Sequence, residues 1–109
     1  VSNARTLAVA DQLLLLEYEL RSLQMWSSTA PSPEALASQA PFCVDSMTLD
    51  AWLQWVFLPR MRALIEVGAA LPERCGITPV AEVEYPSHGG RLNGLMAILR
   101  EIDRLLDAS

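Results

Sequence analysis

The chain has 109 residues, 51% of them apolar, and 13 acidic against 8 basic side chains give it a formal charge of -5. Every basic residue is arginine, so there is no lysine for Schiff-base, phosphate-loop or ammonium general-base chemistry, and the acidic field disfavours direct nucleic-acid binding. A chain of this size holds one modest core without staples, which predicts a single helical-bundle domain over residues 1–109.

The opening VSNAR lacks a starting methionine, and its Ser2-Asn3-Ala4 resembles a cleaved-tag remnant, so residues 1–4 are treated as tag-derived. From Thr6 to Trp26 the pattern is helical: Val9, Leu13, Leu16, Leu20 and Leu23 alternate spacings of four and three and share one face. Leu14, Leu15 and Tyr18 widen that face, which predicts that the helix meets more than one neighbour. Glu17 and Arg21 form an i,i+4 pair in the favourable orientation.

The composition then shifts to SSTAPSPEALASQAPFC. Ser32 is suited to cap a short helix that opens with Pro33 and Glu34 and runs to about Gln39, where Pro41 restricts Ala40. In the following segment Thr48 is suited to cap a helix with Asp50 in its first turn. Leu49, Trp52, Leu53 and Val56 form its apolar face, with Trp52, Phe57 and Met61 as core. Pro59 stands inside this helix and predicts a kink or a restart there. Gly68 is placed to end it, with Pro72 soon after.

Residues 71–90 read as a long loop packed across the bundle before the last helix, because the brief alternation of Val80, Val83 and Tyr85 has no partner strand. The last helix carries Leu92, Leu95, Leu99, Ile102 and Leu106 at the same three-and-four spacing, capped by Ser87 or Asn93. The fold class expected is all-α: a small bundle of three main helices plus a short one.

Catalytic machinery is hard to assemble from these residues. The single histidine, His88, sits in SHGG, and a zinc site with Cys43 and Cys75 matches no standard spacing. A nucleophilic Cys75 with His88 as base is the remote enzymatic reading. No catalytic residue, cofactor or metal ligand is therefore assigned. The cysteine content, the absence of a leader pattern and the lack of an apolar run near the roughly 18 residues of a membrane span predict a cytoplasmic chain with no membrane association.

Aromatic and arginine residues remain as candidate contacts, because both are enriched at interface hot spots. Trp26 and Trp55 lie off the main helical stripes, Arg60 and Arg62 flank Met61, and Tyr85 and His88 fall in the long loop. An arginine patch built from Arg60, Arg62, Arg91, Arg100 and Arg104 would be needed for an RNA-associated role.

The segment PFCVDSMTLDAWLQWVFLPRMRALIEVGAALP, with SPEALASQAP upstream, resembles the YqcC-like family, a bacterial family of uncharacterised function. The resemblance covers nearly the whole chain after its first residues. It implies a small helical bundle, and because the family's genes often stand beside that of a tRNA pseudouridine synthase, it implies an accessory role near tRNA modification. It does not imply the synthase activity, which needs a larger mixed sheet-and-helix domain. The reading is a non-catalytic interaction or accessory module, self-associating or bound to a protein partner such as that synthase, with an RNA-associated factor as the alternative.

Overall fold

The computed structural model describes residues 4–86 and 90–107, and all the regular structure among them is helical. Helix α1 spans Ala4–Ser22, α2 Pro33–Leu36, α3 Leu49–Trp52, α4 Leu58–Glu66, α5 Ile77–Glu84 and α6 Asn93–Leu106. A 3-10 turn covers Pro41–Cys43. The buried apolar side chains form one cluster, drawn from α1, α3 to α4, α5 and α6.

Helices α1 and α6 make the most extensive pair. Val9, Leu13, Leu16 and Leu20 of α1 meet Leu95, Met96, Leu99, Ile102 and Leu106 of α6, the stripes that the periodicity picks out. The two run antiparallel, and each closes the other's end. Arg5 Nε donates to Leu105 O at 2.7 Å, while Arg91 donates to Leu23 O at 2.6 Å. Both guanidinium groups thus sit at helix C-termini, where orphan carbonyls and the helix dipole favour a cation.

Two helix ends are closed by the same six-residue motif with different chemistry. At the end of α4, Ala69 N donates to Leu64 O at 2.9 Å and Gly68 N to Ile65 O at 3.2 Å, with Gly68 at φ 70°. At the end of α1, Met25 N donates to Leu20 O at 2.8 Å and Gln24 N to Arg21 O at 3.1 Å, but the left-handed residue is Gln24, at φ 61°. A side chain there is strained where glycine is not. Gln24→Gly is accordingly expected to stabilise the protein by about 0.5–1 kcal/mol, read as a higher urea midpoint at unchanged slope.

Ser32 caps α2 by accepting from Ala35 N at 3.1 Å, and Thr48 caps α3 by accepting from Ala51 N at 3.4 Å, both as expected. Helix α2 is shorter than the pattern suggests, ending at Leu36 rather than near Gln39. Local side chains take over its backbone partners: Ser46 Oγ donates to Ala35 O at 2.8 Å, and Ser38 Oγ accepts from Ala40 N at 3.1 Å.

The middle helix is split at Pro59, as expected: a new helix, α4, restarts at Leu58 with Pro59 in its first turn. A π-helical turn over Leu53–Phe57 joins α3 to α4, and Leu58 N donates to Leu53 O, five residues back. The widened turn lies immediately before Pro59, the second residue of α4, and accommodates a ring that would clash with the preceding turn of a regular helix.

The expected long loop is corrected, since residues 77–84 form α5. Its start is closed from another helix: Asp103 of α6 accepts from Ile77 N at 3.0 Å and from Thr78 N at 2.7 Å. Gly76, in the left-handed region at φ 63°, turns the chain into it, and Pro79 sits in the first turn, where its missing N–H leaves no helical bond unmade. Ile77 and Ala81 are buried, so the operative period is helical rather than the alternation of Val80, Val83 and Tyr85. Asn93 does not cap α6 but is its first helical residue, after a turn in which Asn93 N donates to Gly90 O at 3.2 Å, and Ser87, the other expected cap, lies outside the described residues.

Candidate functional site

Leu14, Leu15 and Tyr18, expected to widen the buried face of α1, instead point to solvent, as does Leu7. Leu7 is 59% exposed, Leu14 66%, Leu15 48% and Tyr18 70%, because α6 and α4 pack only on the Val9 to Leu20 stripe. Leu7, Leu14 and Tyr18 recur at helical spacing and form an outer ridge with Leu15 beside it. Scattered exposed leucines are ordinary, whereas several large apolar side chains on one helix face, here with the exposed Asp11 between Leu7 and Leu14, offer a partner an apolar surface. Next to Leu14 a shallow apolar groove of about 260 Å³ runs between α1 and α4, lined by Ala10, Leu13 and Ile65 and edged by Arg62 and Glu66.

A three-member charge cluster borders this ridge. Glu17 accepts from Arg62 at 2.6 Å and from Arg21 at 2.9 Å, and Arg21 also lies over the Trp26 ring at 4.5 Å. The Arg62 hydrogen bond holds the Glu17 carboxyl below the usual carboxylate range; partial burial opposes it and Arg21 adds to it. A lowered folded-state pKa contributes stability above the ordinary Glu value of about 4.3, and that stability is lost as pH falls through the lowered value. The pairs are solvent-screened, so Glu17→Gln is expected to cost only about 0.2–1 kcal/mol per pair near pH 7. In urea titrations the difference from wild type should shrink and vanish as pH falls through the lowered value, where the wild-type carboxyl is protonated as well.

The expected contact residues do not share one surface. Trp26 is half-buried beneath Arg21, and Arg62 is engaged with Glu17. Trp55 is half-buried outside the core cluster, and its indole Nε1 is buried without a hydrogen-bond partner. Tyr85 is pinned rather than free. Its hydroxyl donates to Asp50 Oδ1 at 2.7 Å and accepts from Asp50 N at 3.1 Å, joining the end of α5 to the start of α3. Burial, then the Asp50 carboxylate, pushes its phenol far above the ordinary range. His88 lies outside the described residues.

The arginines scatter as well. Arg5 and Arg91 close helix ends, Arg104 pairs with Glu101 through Nε at 2.9 Å, and Arg74 reaches Asp107 at 3.8 Å. Among the described residues, Arg60 and Arg100 are the arginines whose side chains make no ion pair or hydrogen bond. Gln54, which the pattern does not single out, is a buried polar residue at 6% exposure; it accepts from Ser27 N at 2.8 Å and donates to Ser27 O at 2.6 Å, tying the chain after α1 to the π-helical turn.

Cys43 is buried, Cys75 half-buried, and both are free thiols. Burial, reinforced by the Asp103 charge, pushes the Cys75 thiol up, opposite to the shift that activates a nucleophile. No cluster of three metal-ligating side chains occurs among the described residues, and no described helix is long and apolar enough to cross a membrane.

Comparison with known proteins places this architecture. The family DUF446, described as tRNA pseudouridine synthase C, matches residues 8–105. The uncharacterised protein YqcC of Escherichia coli K12 is 35% identical over 100 residues, covering 90% of this chain and 92% of that protein. Its solution NMR structure superposes with a TM-score of 0.84 at 31% identity, covering 97% of this chain and 91% of the other. An uncharacterised Haemophilus influenzae protein is 45% identical over 67 residues, 62% of this chain and 63% of its own length. A Pectobacterium carotovorum protein named tRNA pseudouridine synthase C is 45% identical over 64 residues, 59% of this chain but only 17% of that protein. The YqcC-like resemblance of the chain is thereby confirmed, and the chain belongs to the DUF446 family.

Proposed function

We propose that this protein is a non-catalytic accessory module that docks on a larger protein through the outer ridge of α1, and that its partner is a tRNA pseudouridine synthase. The observation that carries the reading is the solvent-facing row of Leu7, Leu14, Leu15 and Tyr18, apolar surface that the chain's own packing leaves uncovered. The choice of partner rests on the Pectobacterium relative, where a stretch similar to this chain forms a minor part of a protein bearing the synthase name. A unit found within one polypeptide in one organism is a natural binding partner of the remainder in another.

The RNA-associated alternative has less support. It needs a shared arginine face, and Arg62, Arg91 and Arg104 are each engaged in a different part of the fold, on a chain of formal charge -5. The direct test is purification of the tagged protein at its native level, with and without nuclease. Recovery of the synthase in a nuclease-resistant manner supports the reading. Recovery that disappears with nuclease transfers it to RNA, and a homodimer that excludes the synthase transfers the α1 ridge to self-association.

A further inference from the structure

The two pieces of sequence that carry the family resemblance, PFC at 41–43 and WLQWVFLPRM at 52–61, come together around a groove distant in sequence from α1. Its volume is about 240 Å³; Phe42, Trp52, Val56, Phe57 and Met61 provide apolar walls, and Arg60 stands at its edge. Phe42 meets Trp52 edge-on with ring centroids 4.8 Å apart, and Trp52 stacks on Phe57 at 5.4 Å. The backbone at this wall is strained. Phe42 and Cys43 are consecutive non-glycine residues at φ 58° and 51°, conformations that cost about 1–3 kcal/mol each and persist where the surroundings dictate them.

We propose that this groove is a second docking site, and that its occupant is a segment of another protein presenting one large apolar side chain beside a carboxylate. Size argues for a side chain: sites for whole small molecules span about 300–1,000 Å³, above what this groove offers. Charge argues for the carboxylate. On an acidic chain whose other arginines are mostly engaged, Arg60 is exposed and unpaired at the lip of an aromatic pocket, the arrangement that fixes an anchored peptide by one charge-assisted contact. The apolar groove beside Leu14 shares no lining residue with this one, so the proposal stands independently of the α1 reading.

The test is selection of a random dodecapeptide library displayed on phage against the full chain, followed by titration of the enriched peptides while recording Trp fluorescence and amide NMR shifts. The expected result is a shared apolar residue next to Asp or Glu, with shifts centred on Trp52, Phe57 and Arg60. Arg60→Glu, a surface change that should leave the melting temperature in place, is expected to weaken binding about tenfold, and replacing the peptide carboxylate with Lys should restore it. Val56→Arg, at the groove wall, should abolish binding in a still-folded protein. Enrichment of no peptide, or of peptides indifferent to Arg60→Glu, overturns the proposal. So does decanoate shifting the same residues when no peptide does, which would make the groove a site for a small fatty acid instead.

Discussion

Leu99→Ala is expected to destabilise the protein by about 3–4 kcal/mol, a large share of the roughly 5–15 kcal/mol that holds a domain of this size. Leu99 is fully buried on α6, within the stripe that meets α1 along the most extensive contact of the fold. Truncation removes the transfer energy of the side chain and leaves a cavity between two helices whose ends are tied together by Arg5 and Arg91, which limits collapse. Equilibrium urea unfolding should register the loss as a lower midpoint at unchanged slope. Leu14→Ala is the informative contrast: the same chemical change on the exposed ridge of α1 should fall within about 0.5 kcal/mol of wild type. Similar costs for the two substitutions would mean that the ridge is buried in solution.

The second large effect concerns a helix start that is capped from elsewhere in the chain. Asp103→Ala removes both acceptors for Ile77 N and Thr78 N, and charge-assisted bonds of this kind contribute enough for an expected cost of about 2–3 kcal/mol. Hydrogen exchange should localise the damage, with protection lost first across residues 77–84 and the α1 and α6 amides keeping theirs. Asp103→Asn retains one acceptor and should fall between the two. Loss of α5 also releases the Tyr85 hydroxyl from Asp50, so near-ultraviolet circular dichroism should change in parallel. Uniform loss of protection along the whole chain would contradict a locally capped α5.

The contrast between these two sites explains what the sequence discloses. Leu99 is legible because its neighbours at three-and-four spacing carry a single-sided period, and Ser32, Thr48 and Gly68 are legible because a cap is a local interaction between residues a few positions apart. Helix α5 is not, because its cap lies about 26 residues downstream in α6 and its surface carries Glu82, Val83 and Glu84 in an order that imitates alternation. The outward ridge of α1 was hidden for a different reason. Four consecutive leucines, Leu13 to Leu16, cover every azimuth of a helix at about 100° per residue, so only the placement of α6 and α4 decides which of them are core. The π-helical turn before Pro59 belongs to the same class: the proline announces a perturbation, and the packing of Leu53, Phe57 and Leu58 selects how it is absorbed.

The candidate site follows the same division. Residue type draws attention to the aromatic and arginine side chains, but type alone does not reveal that Arg91 closes α1, that Arg62 belongs to Glu17, or that Tyr85 is a strut between α5 and α3. Among the surfaces that packing leaves open are the apolar ridge on α1 and Arg60 at the aromatic groove, and neither is distinguishable by pattern from residues a turn away.

Sedimentation velocity of the purified chain mixed with the purified pseudouridine synthase from the same cell tests the central claim most directly, run in parallel with a Leu14→Glu, Tyr18→Glu double variant whose thermal melt matches wild type. The account predicts a faster-sedimenting complex with the wild-type chain, without RNA, that is absent with the double variant. Two species sedimenting independently at micromolar concentrations, or a complex that forms equally well with the charged ridge, would contradict it.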